Sequence, residues 1–569
     1  MTYELDPYTL SEAWSKSREA YKDLGFLGYA GKTGESYAQV DQNIRKIQTH
    51  LNNQGVGIGD KVALISESRP EWGQVYIAVT TMGAVVVPIM ADFSAEQMNN
   101  ILDHSDSVFL FASDKVLDKI KSSAPAAKGQ FVLIRDGLKC GSFSTGGSDV
   151  FEVNADLLKD ASFQAEDHLY HAEENDIAAI LYTSGTTGNS KGVMLSHKNI
   201  THNARVGLEI PQVREGDKFL SVLPLAHSYE CTLGLILPMI SGASVHYING
   251  APTARIMLPA LSKVQPEHML TVPLLIEKIY RSSIAPKFAG SAVLKALYAF
   301  RPTQFILNRA VAGKKLKKLF GGKLRFFGIG GAPLAPDVEK FLRDAKFPYS
   351  VGYGLTETAP CLAGDAPSRS VYRAIGKPFR DVELRIADIN PETGHGEIQA
   401  IGPNIMLGYY KDEEKTAEVF TEDGWFKTGD LGYLDANNVL FIKGRLKNMI
   451  LGPNGENIYP EEIEAVLNRD PFVQESLVTR IGNTLVGRVQ LNTEKLDEFI
   501  ASLKAKPEEL GRIREETLEK IRQSANASLN TLSRLGKMIE QVEPFEKTPS
   551  MKIKRFLYTK LKSNPETQN

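Results

Sequence analysis

Between residue 60 and about residue 355 the apolar residues gather into short unbroken runs, and helical stretches separate one run from the next. Residues 61–68 (KVALISES), 108–113 (VFLFAS), 131–136 (FVLIRD), 178–184 (AAILYTS), 219–224 (FLSVLP), 269–273 (MLTVP) and 324–331 (LRFFGIGG) each read as a buried strand. Runs that are apolar on both faces predict strands covered on both sides, hence parallel sheets flanked by helices. The uncharged stretch from Val75 to Ala91 predicts a buried helix that turns at Gly83 into a strand, Val85 to Ile89. It is too short and too often interrupted to span a bilayer, so no transmembrane helix is predicted. Residues 137–149 (GLKCGSFSTGGSD) are rich in Gly and Ser and predict a surface loop.

After residue 370 the texture changes. Residues 382–388, 396–402 and 432–445 read as short strands punctuated by glycine, with turn residues at 390–397 and 435–438. They predict a small β-barrel or hairpin layer. Residues 455–470 (GENIYPEEIEAVLNRD) predict a loop entering a helix with Pro460 in its first turn. Residues 494–540 are strongly charged and read as helical, and the polar tail 563–569 as frayed. No internal repeat is visible. The class is α/β: a large N-terminal domain of parallel α/β sheets plus a small β-barrel layer, then a smaller α+β C-terminal domain. The boundary falls near residues 443–450, giving domains 1–445 and 446–569.

Composition narrows the function. A chain of 569 residues with 42% hydrophobic and 24% charged residues is globular and holds more than one core. Lys plus Arg number 66 and Asp plus Glu 68, a balance that argues against a protein devoted to coating nucleic acid. Cys140, Cys231 and Cys361 are far apart and form no CxxC pair, which suggests neither a disulfide framework nor a zinc ribbon. The first residues lack a basic start followed by an apolar run, so no signal peptide is predicted. A reducing cytoplasm fits.

The most informative segment follows the strand at 178–184. Tyr182-Thr-Ser-Gly-Thr-Thr-Gly-Asn-Ser-Lys-Gly-Val193 places Gly185, Gly188 and Gly192 among hydroxyl residues and a single lysine. Backbone N–H groups and Lys191 in such a loop suit a polyphosphate. It is not a Walker A loop, because Lys191 stands between Ser190 and Gly192. Gly188-Asn-Ser-Lys-Gly192 also matches the G-x-S-x-G nucleophile elbow, but that turn needs a strand ending at the serine and a helix beginning after it. Here another strand (GVMLSH) is predicted instead.

This loop resembles the phosphate-binding loop of the adenylate-forming superfamily, which includes acyl-CoA synthetases, adenylation domains and luciferases. Further matches follow in the expected order. Leu223-Pro-Leu-Ala-His-Ser-Tyr-Glu230 resembles the family's acyl-site motif, and Gly330-Gly-Ala-Pro333 its nucleotide-contacting turn. Gly352-Tyr-Gly-Leu-Thr-Glu-Thr358 resembles its adenine and metal motif, Trp425-Phe-Lys-Thr-Gly-Asp-Leu431 its ribose motif, and Gly444-Arg-Leu-Lys-Asn448 its hinge. Thr548-Pro-Ser-Met-Lys-Ile-Lys-Arg555 resembles the motif with the catalytic lysine.

The resemblance implies ATP, Mg²⁺ and coenzyme A, with a fatty acid as the substrate. Nucleotide contacts fall to Thr183, Ser184, Gly185, Thr186, Thr187, Gly188 and Lys191, to Gly330, Gly331 and Ala332, and to Tyr353, Gly354, Thr356, Asp430 and Arg445. Tyr353 offers a flat face for stacking on adenine. Glu357, with Thr183 and Thr356, offers hard oxygens for Mg²⁺; on local grounds alone Glu357 is a solvated loop acid. Asp430 is acceptor-only and suits ribose hydroxyls, against the plainer reading of a turn-forming Asp. His227 closes the acyl site, where an isolated His is as readily structural. Lys552 aligns with the catalytic lysine, although Met551 replaces the common Gly and leaves Lys554 as the alternative amine. Asn448 replaces a frequent Asp, and Lys447 marks the hinge.

The form LPLAHSYE, the segment Glu67-Ser-Arg-Pro-Glu-Trp72 and the Leu- and Phe-rich stretch 284–322 most resemble long-chain fatty acyl-CoA synthetases. Alternatives are an aryl- or other acid–CoA ligase, an adenylating enzyme that loads a carrier protein, and a nucleotide-binding protein that has lost catalysis. Residues 313–320 (GKKLKKLF) are a candidate contact with an anionic membrane, such as the inner face of the cytoplasmic membrane. The competing reading is a helix buried on one side with a solvated rim.

Overall fold

The computed structural model describes residues 5–120, 130–135, 137–142, 152–159, 165–184, 190–451, 457–482, 484–503, 506, 509–548 and 553–558. Val62, Ala63, Leu64 and Ile65 are fully buried, as are Val86, Val87 and Ile89. Strands with no polar face need cover on both sides, and they form the parallel centre of a nine-stranded sheet. There Lys61–Ile65 lies between Val85–Ile89 and Phe109–Ser113, with Gln130–Arg135 beyond and Ile177–Ser184 beside Val85–Ile89.

Both edges of this sheet are antiparallel, which the apolar runs did not predict. Ser190–Ser196 and then Gly408–Tyr409 close one edge. Gly137–Ser142 and Glu152–Asp156 close the other. The predicted surface loop at 137–149 is therefore corrected over 137–142. Those residues pair one for one with Gln130–Arg135, and Leu138 is buried; a hairpin partner overrides the Gly and Ser composition. The rest of that predicted loop lies outside the described residues.

A second sheet has seven strands in the order Tyr349–Val351, Phe326–Ile329, His268–Thr271, Lys218–Ser221, Ser244–Tyr247, Gly25–Tyr29 and Glu35–Ser36. All but the last pair are parallel. Its strands are shorter than their apolar runs, and the run ends at 222–225 and 330–332 become loops. The helix Pro70–Thr81 is buried along its length, with Pro70 in its first turn. It ends before Gly83, whose φ is +86°, and a Cβ there would meet the Tyr170 ring at 2.7 Å, so only glycine serves.

The predicted small β layer is present. Glu383–Ala387, Gly396–Ile401, Phe426–Leu434 and Leu440–Arg445 form one antiparallel sheet, and Tyr353–Gly354, Cys361–Gly364 and Lys377–Pro378 another. From Ile458 onward a separate core gathers Ile463, Leu467, Val489, Leu518 and Ile521. It packs the helices Pro460–Leu467, Thr493–Leu503 and Leu510–Ser528 on the hairpin Val473–Ile481 and Thr484–Leu491. The helical reading of 494–540 needs one correction. Helix ends at Ser528, and Lys537–Glu540 adds a parallel strand to the free edge of that hairpin. Among the described residues no helix is long and apolar enough to cross a membrane. The tail at 563–569 lies outside the described residues.

The helix His197–Gly207 is almost wholly buried although half of it is polar. His197 Nδ1 accepts the Leu10 N–H at 3.1 Å, so this nitrogen carries no proton. Burial depresses the His197 imidazole to about 4, and it does the same to His50 and, with a smaller push from Lys218, to His246. These rings stay neutral in the folded chain, whereas the unfolded chain protonates them near pH 6.5. Stability is thus complete above pH 6.5 and falls as the pH drops from there toward 4, by about 3 kcal/mol per ring at the low end. Thermal melts across that range are expected to show the loss. His197→Asn keeps an acceptor at the Nδ1 position without a titrating ring and is expected to make the slope shallower. An unchanged slope would remove His197 from this account.

Candidate active site

Ile177–Ser184 and Ser190–Ser196 form an antiparallel hairpin in which Thr183 stands opposite Lys191. The tip, Gly185, Thr186, Thr187, Gly188 and Asn189, lies outside the described residues, as does the side chain of Ser184. Ser190 opens a strand, and helix begins only at His197. The geometry of a nucleophile elbow is therefore absent. The Lys191 ammonium lies 4.6 Å from the centre of the Tyr409 ring, a cation–π contact.

The same tyrosine reaches the candidate metal residue. Tyr409 Oη donates to Glu357 Oε1 at 3.0 Å. Burial and the Glu357 carboxylate push the phenol well above its usual range, so it remains a donor. Glu357 sits in the short 3₁₀ turn Thr356–Thr358, right after Gly354. A Cβ on Gly354 would fall 1.8 Å from the Pro360 carbonyl oxygen, so the turn admits no side chain there. Thr356 and Glu357 are both half-buried.

Three asparagines hold this turn. Asn404 Nδ2 donates to the Thr358 and Cys361 carbonyls at 2.9 and 2.8 Å. Asn199 Nδ2 donates to Pro403 and Ile405 at 2.7 and 2.8 Å, and Asn203 Nδ2 to Cys361 at 2.7 Å. The Met406 N–H then donates to the Glu357 carbonyl at 2.9 Å.

A second group forms at the small β layer. Asp430 and Arg445 stand opposite each other on neighbouring strands. Arg445 Nε lies 2.9 Å from Asp430 Oδ1, and Tyr353 Oη donates to Oδ2 at 2.8 Å. The Tyr353 ring is buried in a cluster with Val206, Leu362, Phe379 and Ile398, and its hydroxyl is the group that meets Asp430.

A third group surrounds Tyr229. The strand Phe326–Ile329 leads into Gly330, Gly331 and Ala332; Gly331 has a φ of +85° and, like Ala332, is exposed. A Cβ on Gly330 would meet the Tyr229 ring at 3.2 Å, and one on Gly328 would meet its hydroxyl at 2.8 Å. His227 caps the short helix Ser228–Cys231, its Nδ1 accepting the Tyr229 N–H at 3.2 Å. Ser68 clamps the preceding loop: its Oγ donates to the Leu223 carbonyl at 3.0 Å and accepts the Leu225 N–H at 2.9 Å. Beside Tyr229 lies a narrow cavity of about 40 Å³, walled by Phe219, Leu233, Leu237, Leu270, Phe326 and Phe379. None of its lining residues is charged. Neighbouring Glu230 is fully buried, which pushes its carboxyl up to about 8 against a weaker opposing bond from Ser221; it is neutral at pH 7.

Lys552 lies outside the described residues. Lys554 Nζ is 3.6 Å from Glu546 Oε2. The Arg555 guanidinium is tied to Glu464 and stands 3.8 Å from Glu461. Asn448 Nδ2 donates to Glu461 at 2.7 Å. Lys447 is exposed in the 3₁₀ turn Leu446–Asn448.

The structure thus brings Lys191 and Glu357 together around Tyr409, with Thr183 opposite Lys191, Asp430 and Arg445 together with Tyr353, and Gly330 together with Tyr229 and His227. Tyr409, Tyr229, Ser68 and the three asparagines were not singled out from the sequence. Tyr229 lay within a quoted motif. The signal for Tyr409 was an aromatic pair directly after Gly408, a glycine with φ of +146°.

The family model described as AMP-binding enzyme matches residues 14–410. The long-chain-fatty-acid–CoA ligase FadD15 of Mycobacterium bovis is 30% identical, over 80% of this chain and 76% of its own. The long-chain-fatty-acid–[acyl-carrier-protein] ligase AEE15 of Arabidopsis thaliana chloroplasts is 28% identical, over 82% and 74%. Among solved structures, the o-succinylbenzoate CoA synthetase MenE of Bacillus subtilis, in complex with its acyl-adenylate, superposes with a TM-score of 0.74. It covers 96% of this chain and 97% of that one at 22% identity, a likeness of fold.

The asparagine network carries a direct consequence. Asn404→Ala leaves the Thr358 carbonyl buried without its donor, at a cost of about 2 kcal/mol. Urea denaturation is expected to show that loss with an unchanged m-value. A loss below about 0.5 kcal/mol, the level of a neutral surface change, would mean that the turn is held by something else.

Proposed function

The chain belongs to the AMP-binding enzyme family, and we propose that it is an ATP-dependent acid–thiol ligase for aliphatic acids of medium to long chain. The acid's carboxylate attacks the α-phosphorus of ATP, the bond to the β-phosphate oxygen breaks, and pyrophosphate leaves. The acyl-adenylate then meets the thiol of coenzyme A: the new C–S bond forms, AMP departs, and the thiol proton is released. The observation that carries the substrate reading is the uncharged, aromatic- and leucine-walled cavity beside Tyr229. A second carboxylate or an ammonium group on the substrate would find no partner there, whereas an alkyl chain loses water at every wall. The relative FadD15, a long-chain-fatty-acid–CoA ligase, agrees with this choice.

The first half-reaction is positioning and charge neutralisation around an in-line displacement. The hairpin tip from Thr183 to Lys191 supplies donors to the phosphates. Asp430, fixed by Tyr353 and Arg445, is the acceptor for ribose hydroxyls. Gly330 to Ala332 line the approach to the nucleotide, and His227 stands where the carboxylate enters. Glu357 with Thr183 and Thr356 fits Mg²⁺, a hard cation that takes one or two carboxylates and completes its shell with phosphates and water. The described residues hold no cluster of three or more acidic, His or Cys side chains, the set a tighter metal cage requires. When bound, Mg²⁺ offsets charge on the phosphates. Rotation of residues 446–569 about Lys447 would then exchange Lys552 for the thiol path, a rigid-body switch. Lys447 suits a pivot because it is exposed and belongs to no core.

Two experiments test this reading. The first measures pyrophosphate release over a panel of acids, with and without coenzyme A. Activity is expected to climb from butanoate to dodecanoate and to fall on benzoate; a preference for benzoate would overturn it. Product formed only with an acyl carrier protein as acceptor would point to that alternative. In the same panel Gly352→Leu is informative. A Cβ at Gly352 touches only the Ala363 carbonyl, at 4.0 Å, so the leucine enters the cavity. Each methylene it displaces is expected to cost about fourfold (~0.8 kcal/mol) on long acids and little on short ones.

The second experiment assigns the amine. Because Lys554 is drawn to Glu546, Lys552→Ala is expected to lose adenylation and keep thioester formation from synthetic acyl-adenylate. If Lys554→Ala gives this split instead, the assignment moves by two residues.

A further inference from the structure

Residues 278–336 contain twelve lysines and arginines and no aspartate or glutamate, in a chain whose net charge is −2. Most of these cations are not matched within the fold. Arg281, Arg301 and Arg325 pair with Asp337, Asp344 and Asp217. Lys287, Lys295, Arg309, Lys314, Lys315 and Lys318 form no ion pair among the described residues.

The same region concentrates exposed apolar side chains. Of the 22 large hydrophobic residues exposed among the described residues, eight fall between Leu274 and Leu319. The most prominent lie on the helices Ala292–Ala299 and Arg301–Leu307 and the residue joining them: Val293 is 69% exposed, Phe300 64% and Ile306 59%. Val293 and Leu297 are one turn apart on one face. The inner side of this pair is firmly anchored. Tyr298 stacks on Phe288 at 4.3 Å, its hydroxyl donates to Asn308 at 2.8 Å, and Arg301 grips Asp344 through two hydrogen bonds. A rigid support therefore holds the apolar side chains in water.

We propose that the helix pair 292–307, with the cations that follow it, docks peripherally on an anionic lipid bilayer. The helix Gly313–Leu319 is not the inserting element that its sequence suggested. Leu316 and Phe320 are buried in the second core, and Lys314, Lys315 and Lys318 face outward with Leu319. It supplies charge at the rim, and Val293, Leu297, Phe300 and Ile306 supply the apolar contact. A bilayer suits this composition better than a protein partner. Protein interfaces are depleted in lysine. A bilayer surface accepts lysine stems and attracts their ammonium groups, while isolated apolar side chains settle among the acyl chains. The inference does not rest on which acid is the substrate.

The test is co-sedimentation of the full chain with two vesicle types: phosphatidylcholine alone, and an equal mixture of phosphatidylcholine and phosphatidylglycerol. Binding is expected to the mixed vesicles only, and high salt is expected to release it. Lys314→Glu with Lys315→Glu is expected to weaken binding at least about twenty-five-fold, since each cation near the surface contributes about fivefold (~1 kcal/mol). Val293→Asp with Phe300→Asp is expected to weaken it at least tenfold. Both pairs are exposed, so both variants should keep the parent melting temperature and its activity on soluble acids. Failure of the parent chain to bind mixed vesicles overturns the proposal. So does binding that survives both pairs of substitutions. Concentration-dependent self-association abolished by the Asp pair, with no lipid binding, would assign the surface to a second copy of the chain instead. Because vesicle binding is read without any acid present, its failure leaves the ligase reading standing, and the converse also holds.

Discussion

The carbonyl groups that face inward beneath the candidate site impose the constraint on which its geometry depends. The loops carrying Glu357 and Tyr409 run over a buried helix and expose no water to the carbonyls of Thr358, Cys361, Pro403 and Ile405 on that side. Buried carbonyls without donors cost about 1–3 kcal/mol each. Primary amides can meet this demand because one NH₂ group donates twice, and Asn199 and Asn404 each reach two carbonyls. This explains a helix, His197–Gly207, that is polar on a face it nevertheless buries. It also explains how Gly408–Tyr409 can join the edge of the first sheet while Tyr409 touches Lys191 and Glu357, residues from two other segments.

Charge placement follows from the same limitation. Asp430 is almost completely buried, and a buried carboxylate is tolerable only with charged and hydrogen-bonding partners. Arg445 meets one oxygen and Tyr353 the other, so the buried group is stabilised from two sides. The C-terminal unit repeats this solution. Glu464 is buried against Arg555, and Glu461 lies between Arg555 and Asn448. An amide at 448 donates to Glu461. A carboxylate at that position would face another carboxylate, so the Asn that departs from the frequent family residue fits its surroundings. The segment bearing the candidate lysine is thereby tied to the turn that contains Lys447.

The strands of the two large sheets were legible because runs such as 61–65 and 85–89 are apolar on both faces, a pattern that few other structures produce. The site motifs were legible because glycines at 185, 188, 330 and 354 are costly anywhere a turn or close approach does not need them; at Gly354 the structure supplies that reason directly. What stayed hidden depends on contacts distant in sequence. The strand at 137–142 exists because Gln130–Arg135 offers an edge, and the strand at 537–540 because Thr484–Leu491 does. Tyr409 is 52 residues from Glu357, and no local pattern couples the two. The bond from the Tyr353 hydroxyl to Asp430, 77 residues on, is likewise invisible to any local pattern. The helix at 313–319 has an amphipathic pattern that suits a membrane and a protein core equally, and here the core takes its apolar side.

The cavity and the proposed bilayer contact of the helices at 292–307 bear on each other through the choice of reference state. Moving a methylene from water into an apolar cavity is worth about 0.8 kcal/mol. Moving it from the interior of a bilayer into the same cavity is worth almost nothing, because acyl chains are as apolar as leucine. An enzyme that took its acid from water would therefore select long chains by hydrophobicity alone. One that took it from a bilayer would lose that discrimination and would have to select by shape. The walls here have features that permit it. Gly207, Gly328, Gly352 and Gly364 line the cavity beside Phe219, Phe326 and Phe379, so its width is set by small residues facing large rigid ones. Length and branching of the chain would then be read by contact with fixed rings, a discrimination that persists whichever phase supplies the acid.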